Sequence, residues 1–189
     1  MTKITFLLLL LIGANAFAQT EINWMTWEEM VAQREKDSVK KKVYIDLYTD
    51  WCGWCKKMDA STFKDPTVVQ YMNDKYYPVK FDAERMDTIV FNGHTFTSSD
   101  PGFVKTNPKG RGKTHYFAYS LLDGAMSYPS YALLDENLTR IAVYPGFKTP
   151  EELIGILVFF GANQYQQYHN YLNKSWNEAM KQQKLNSGK

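Results

Sequence analysis

The feature that most restricts the fold of this 189-residue chain is an apolar strand leading into a helix that bears its only two cysteines. Residues 43–48 are almost continuously apolar or aromatic, as in a strand buried on both faces. After a short turn, Cys52 and Cys55 are spaced to lie one turn apart at the start of a helix. A thiol there lies beside unpaired backbone N–H groups and the positive end of the helix dipole. We therefore expect a low pKa for Cys52, whose thiolate is the form that attacks a disulfide.

The cysteine pair admits three interpretations: metal ligands, a structural disulfide or a redox-active dithiol. A structural zinc site needs four ligands, and His94, His115 and His169 are dispersed without forming a second paired motif. A disulfide that closes so short a loop would stabilise the fold little, because loop-closure entropy grows with loop size. The strand–turn–helix context favours the redox interpretation, in which Cys52 attacks and Cys55 resolves the mixed disulfide. No metal and no cofactor are expected.

These residues resemble the active-site segment of the thioredoxin superfamily. The resemblance rests on Trp51-Cys52-Gly53-Trp54-Cys55-Lys56 and on Asp46, six positions before the first cysteine. The longer run over residues 46–66 looks nearest to periplasmic thioredoxin-like domains, in particular the C-terminal domain of the membrane disulfide reductase DsbD. The similarity covers residues 22–84 and 115–163. It implies an α/β fold, a thioredoxin-like mixed sheet flanked by helices.

Asp46 is an acidic residue within the apolar strand. Desolvation should raise the pKa of its carboxyl group, which makes it a candidate proton acceptor for Cys55. The resemblance implies the same role, and the alternative is an aspartate that caps the turn after the strand. The resemblance also implies that Lys80, in the neighbouring predicted strand, pairs with Asp46. The alternative is a solvated lysine.

The resemblance further implies a substrate-binding surface around the cysteines. Pro129 resembles the cis-proline that faces the cysteines in this superfamily, and it would let Tyr128 offer its backbone to an extended substrate. An ordinary trans proline in a turn is the alternative. Trp51 is expected to form an apolar rim, and Gly53 to let a substrate backbone come close. Trp54 replaces the proline of the usual Gly-Pro dipeptide and is expected to narrow access or stack on a substrate, which leaves the direction of electron flow open.

Residues 1–18 have the pattern of a secretory signal peptide. Lys3 precedes an apolar run over residues 6–12 that is too short to span a bilayer, and Ala16-Phe17-Ala18 supplies small residues at the cleavage positions. An uncleaved N-terminal anchor is the alternative. The predicted location is therefore periplasmic or otherwise exported, where oxidants are present. The formal net charge is +2, and without Lys3 it is +1, which argues against a nucleic-acid partner.

The rest of the chain predicts alternating strands and helices. Thr26 with Glu29, and Thr149 with Glu152, have capping-box spacing and mark two helix starts. Residues 38–42 are predicted to be a solvated basic turn. Predicted strands are at residues 22–24, 43–48, 77–82, 131–134 and 139–144, and predicted helices are at residues 27–37, 52–62 and 115–123 and from residues 66 and 150.

Two segments are predicted as additions to a thioredoxin-like domain at residues 19–163. Residues 84–114 are interpreted as an insertion, in which Asn92-Gly93 is the signal for a β-hairpin with a type I′ turn. Its basic loop at residues 109–113 lacks a phosphate-binding pattern and is interpreted as solvated rather than as a docking site. The C-terminal extension, residues 164–189, has apolar residues at helical spacing and is predicted to be an amphipathic helix packed on its own domain.

Together these features predict a thiol:disulfide oxidoreductase that reduces disulfides in exported proteins. Cys52 would attack the substrate disulfide, and Cys55 would release the product with help from Asp46. A membrane or soluble thiol donor would then reduce the enzyme again. A dithiol oxidase or isomerase and a non-catalytic binding module are the alternatives, and the sequence leaves the oligomeric state open.

Overall fold

A four-stranded mixed sheet with helices on both faces forms the fold. The structure is a computed structural model and describes residues 21–98 and 114–187; the predicted signal peptide and the basic loop at residues 109–113 lie outside them. The elements in chain order are α1 (Trp27–Lys36), β1 (Lys42–Tyr48), α2 (Gly53–Ala60), a 3-10 turn (Thr62–Lys64), α3 (Pro66–Lys75), β2 (Tyr76–Asp82), β3 (Ile89–Phe91), β4 (His94–Phe96), α4 (Tyr116–Leu121), β5 (Ser130–Leu134), β6 (Arg140–Pro145), α5 (Pro150–Gly161) and α6 (Gln164–Ser187).

Strand β1 lies in the interior of the sheet, whose strand order is β2-β1-β5-β6. It pairs in parallel with β2 and antiparallel with β5, and β5 pairs antiparallel with β6. Because β1 is paired on both edges and covered on both faces, its residues are buried from Lys42 to Leu47. This is the predicted thioredoxin-like mixed sheet, and the fold prediction is confirmed.

The two faces of β1 belong to separate hydrophobic cores. Val43, Ile45 and Leu47 pack in the core that includes α1 and α4, whereas Tyr44 packs in the core that includes α2, α3 and α5. Side chains alternate between the faces of a strand, so Asp46 lies on the same face as Tyr44. The one acidic residue of this strand therefore faces the side of the sheet that carries the cysteine helix.

Helix starts in the structure agree with the local sequence signals. Both predicted capping boxes are present, Thr26 with Glu29 and Thr149 with Glu152. Asp65 caps α3 by accepting hydrogen bonds from the next turn, with Pro66 at the first helical position. These starts fix where α1, α3 and α5 leave the sheet.

Two predictions for the chain up to the first residue of β1 are wrong. Residues 22–24 do not form a strand: pairing is limited to one parallel bridge between Met25 and Val79, because the chain bends and then begins α1 at its Thr26 cap. Lys42 is not solvated either, since its side chain is 2% exposed. Its ammonium group contacts Glu136 at 2.5 Å and Asn163 Oδ1 at 2.7 Å, so the buried charge has polar partners.

The predicted hairpin is present as β3 and β4. Asn92 and Gly93 have φ angles of 49° and 76°, the left-handed values that a type I′ turn requires at both positions. Phe91 packs against Trp27 and Phe117, so the hairpin is tied to the core that contains α1 and α4. The amide of His115 donates to the carbonyl of Ala83, 2.7 Å away, so the segment between them returns to the point where it left the sheet.

Helix α6 is present, but the prediction that it packs on its own domain is wrong. Its first turn contacts the domain through Tyr165, whose ring lies 5.2 Å from that of Phe160. The side chains of residues 166–185 are all exposed, including Trp176, 68% exposed. Within residues 21–98 and 114–187, no helix combines the length and the apolar character needed to cross a membrane.

Candidate active site

The two cysteines form a disulfide at the N-terminal end of α2. Cys52 is the N-cap residue and Cys55 lies in the first turn, with their sulfur atoms 2.07 Å apart. The amide of Cys55 donates to Cys52 Sγ at 3.0 Å, so this sulfur takes the place of a capping oxygen. In the reduced protein, the same N–H and the helix dipole would stabilise a thiolate on Cys52 more than a thiol.

Asp46 lies next to the cysteine helix as part of a chain of three charged side chains. Lys80, its neighbour in the β1–β2 register, places Nζ 2.8 Å from Asp46 Oδ2. The same ammonium group forms a second ion pair with Asp59, which lies on α2 one turn beyond Cys55. Lys80 thus connects the buried carboxylate in the strand to a half-exposed carboxylate on the helix.

Burial dominates the acid–base behaviour of Asp46. Desolvation raises the pKa of its carboxyl group to about 6, with Lys80 lowering it and the negative charge of Asp59 raising it. Oδ2 is taken by Lys80, whereas the buried Oδ1 has no hydrogen-bond partner in the described chain. Asp46 therefore has a pKa suited to proton exchange near neutral pH and one oxygen atom without another partner.

Trp51 and Tyr128 form one side of the site. The bond between Tyr128 and Pro129 is cis. The Tyr128 ring meets the Trp51 ring edge-on at 5.9 Å, and the carboxylate oxygens of Glu84 accept from Trp51 Nε1 at 3.1 Å. We call Trp51, Tyr128 and Glu84 the acidic rim.

Trp54, two residues after Cys52, has two partners that differ from those of Trp51. Its ring lies 5.6 Å from that of Phe147 in the loop before α5, and Lys57 Nζ lies 4.8 Å and 5.0 Å from the Trp54 and Phe147 rings. We call Trp54, Phe147 and Lys57 the basic rim. A Cβ atom added to Gly53 would meet no atom of the described chain within 4 Å, so the backbone beside Cys52 is open.

Sequence reasoning missed four members of this site: Lys57, Asp59, Glu84 and Phe147. Asp59 is four residues after Cys55, but its partner comes from a strand, and helical spacing does not reveal such a partner. Glu84 is the second residue after β2, and Phe147 lies between a predicted strand and a predicted helix. Neither carries a local sequence signal for its partner tryptophan. Among the residues that the structure describes, no group of three or more His, Cys, Asp or Glu side chains could hold a metal ion.

Comparisons with known proteins agree with this geometry. Residues 14–102, a little under half of the chain, match the family Thioredox_DsbH, a protein of unknown function (DUF255). The chain is 36% identical over 52 residues to the thiol:disulfide interchange protein DsbD of Photorhabdus laumondii, and 33% identical over 64 residues to that of Citrobacter koseri. Over these segments the chain is similar to thioredoxin-like proteins of the DsbH and DsbD type. Its predicted similarity to DsbD is confirmed.

The similarity to these DsbD proteins is confined to short segments. The matches cover 28% and 33% of this chain but only 8% and 11% of the two relatives. A solution structure of a putative disulphide-isomerase from Bacteroides thetaiotaomicron is 22% identical, with a TM-score of 0.45, and the match covers 77% of this chain and 97% of that one.

Proposed function

We propose that the chain is a thiol:disulfide oxidoreductase that reduces disulfides in exported proteins through Cys52 and Cys55. The observation that carries the proposal is the position of Cys52 Sγ, which caps α2 and accepts the amide of Cys55 at 3.0 Å. A sulfur in that position is activated as a thiolate, and its partner lies next to it in the same turn. A disulfide that only braced the fold would not need either feature.

The reaction has two exchanges. In the first, the Cys52 thiolate attacks one sulfur of the substrate disulfide, forms a mixed disulfide and releases the other sulfur as a thiolate. In the second, Cys55 loses its proton and attacks Cys52 Sγ, which forms the Cys52–Cys55 disulfide and releases the second substrate sulfur. The substrate gains two electrons and the enzyme loses two. A dithiol donor, soluble or in a membrane, must return them.

We assign Asp46 as the group that accepts the proton of Cys55. It faces the α2 side of the sheet, has a pKa of about 6 and keeps Oδ1 without a partner in the described chain. Lys80 stabilises the ionised form of Asp46 and so keeps it able to accept a proton near neutral pH. Asp46 and Lys80 therefore serve the second exchange more than the first.

Substrate contact is assigned to the surface around the disulfide. Trp51 and Trp54, which precede and follow Cys52 in the sequence, are 51% and 56% exposed, whereas the two cysteines are nearly buried. Tyr128 belongs to the acidic rim and is joined to Pro129 by a cis bond, and its backbone would pair with an extended substrate. The location we propose is the periplasm or another exported compartment, since the signal-peptide pattern precedes residue 19 and the relatives are DsbD proteins.

A trapping experiment tests the function. Wild type should reduce insulin disulfides with a dithiol donor, and Cys52→Ser should abolish this activity. Cys55→Ala should accumulate a mixed disulfide through Cys52, because the second exchange is blocked, and mass spectrometry of that adduct identifies the substrate. Partner binding that survives in Cys52→Ser without any exchange activity would instead indicate a binding module. A reduction potential well above that of the glutathione pool would make it an oxidase.

A further inference from the structure

The two rims around the disulfide carry opposite charges. On the acidic rim, Glu84 is fixed beside Trp51 by the hydrogen bonds from the indole nitrogen. Asp82 lies close by, since its Oδ1 accepts the amide of Glu84 at 2.9 Å. On the basic rim, Lys57 lies over the Trp54 and Phe147 rings. The tryptophan that precedes Cys52 thus has an acidic partner, and the tryptophan that follows it has a basic one.

Both charges are positioned and available to a ligand. In the described chain, neither Lys57 nor Glu84 takes part in an ion pair. Lys57 is exposed, and the aromatic rings below it limit the conformations of its side chain. Lys148, which follows Phe147, adds a second ammonium group on this side, bonded to the carbonyl of Pro145 at 2.7 Å. A charged side chain in the substrate would find its counterpart already in place.

The cysteines are buried, so a substrate chain that approaches Cys52 meets the exposed tryptophans beside it. Cys52 and Cys55 are 4% and 3% exposed, whereas the tryptophans beside them are about half exposed. A protein disulfide that reaches Cys52 therefore brings its chain against the exposed tryptophans that precede and follow Cys52 in the sequence. Exposed aromatic rings contribute contact area at low entropic cost, and complementary charges add orientation and a faster association rate.

We propose that the two rims select the charge polarity of the substrate. The substrate that binds here is an extended segment of a disulfide-bonded protein. On one side of its cysteine it carries an acidic side chain, which meets Lys57. On the other side it carries a basic or neutral side chain, which meets Glu84. This inference rests on the proposed function and adds a substrate class to it. It makes Lys57 and Glu84 specificity-determining residues of the exchange reaction.

Two peptides of identical composition test the polarity. One has Asp residues before and Lys residues after its disulfide-bonded cysteine, and the other has the reverse order. Wild type should reduce one of them with a kcat/KM about fivefold higher at low salt, because reversal replaces attraction with repulsion at Lys57 and Glu84. The preference should disappear at about 0.5 M salt, where screening is strong. Lys57→Glu should remove or invert it.

A matched control variant and a small substrate distinguish failure of the polarity proposal from failure of the proposed function. Lys75→Glu makes the same charge change at an exposed lysine on α3 and should keep the wild-type preference. Dipyridyl disulfide, which is neutral and spans neither rim, reports the exchange chemistry alone. Turnover of dipyridyl disulfide with equal kcat/KM for the two peptides would overturn the polarity proposal and leave the function standing. Absence of turnover for all three substrates would overturn both.

Discussion

Replacing Asp46 with asparagine should stabilise the protein at neutral pH and have little effect at acidic pH. Burial raises the pKa of this carboxyl from 3.8 to about 6. Below the lower value, the carboxyl is protonated in both the folded and the unfolded chain and carries no penalty. As pH rises through the interval between the two values, the unfolded chain loses the proton first, so the folded state becomes progressively less stable. Above the folded-state pKa, the penalty is complete.

The size of the effect follows from the shift. A difference of about two pKa units at 1.36 kcal/mol per unit corresponds to about 3 kcal/mol. Asparagine has nearly the same shape and cannot ionise, so Asp46→Asn lacks this penalty. Lys80 stays protonated over the whole interval, because its pKa is raised above an already high value. The free energy of unfolding of the variant should therefore exceed that of wild type by about 3 kcal/mol more at pH 7.5 than at pH 3.5.

Urea denaturation of the oxidised protein between pH 3.5 and 7.5 measures this difference. The difference between the two curves should begin to grow around pH 4 and should reach its final value soon after pH 6. Asp74→Asn, which changes an exposed aspartate on α3, should follow the wild-type curve. Parallel curves for wild type and Asp46→Asn would refute the claim that this carboxyl is held in an unfavourable buried site.

The charged neighbours of Asp46 and the exposed helix give three further predictions. Lys80→Met should raise the pKa of Asp46 by about one to three units, because an adjacent opposite charge is lost, and the midpoint of the pH–stability difference should move up accordingly. Asp59→Asn should move it down, because the Asp59 charge raises the pKa of Asp46 and competes for Lys80; an upward movement would contradict this order of effects. Ending the chain after Gln166 should leave the free energy of unfolding within about 0.5 kcal/mol, since the removed side chains that the structure describes are exposed; a loss above about 2 kcal/mol would show that α6 packs on the domain.

Local signals in the sequence predicted local structure well. The capping boxes at Thr26 and Thr149 and the Asn92-Gly93 turn each depend on residues three or fewer positions apart, so short-range chemistry decides them. The position of Cys52 at the start of a helix was also predicted from local signals. The buried strand stops in a short turn, and the residues after the turn form the next helix.

Interactions between distant segments were harder to predict from the sequence. The ion pair of Asp59 with Lys80 joins a helix to a strand, and no periodicity in the sequence identifies it. The apolar spacing along α6 correctly predicts a helix with one apolar face, but it contains no information on whether this domain offers a surface to cover that face. Likewise, residues 22–24, Ile-Asn-Trp, fit a strand locally, and only the start of α1 soon afterwards limits the pairing to one bridge.

The acidity of the Cys52 thiol is the central claim. It can be measured from the rate of iodoacetamide alkylation of the reduced protein as a function of pH, with Cys55→Ala to isolate Cys52 and Cys52→Ser as the control. We predict a midpoint well below the value of about 8.5 for free cysteine, within the range of about 3.5 to 7.5 seen for thiols at helix N-termini. A midpoint near 8.5 in both variants, with no reduction of insulin by wild type, would contradict the account.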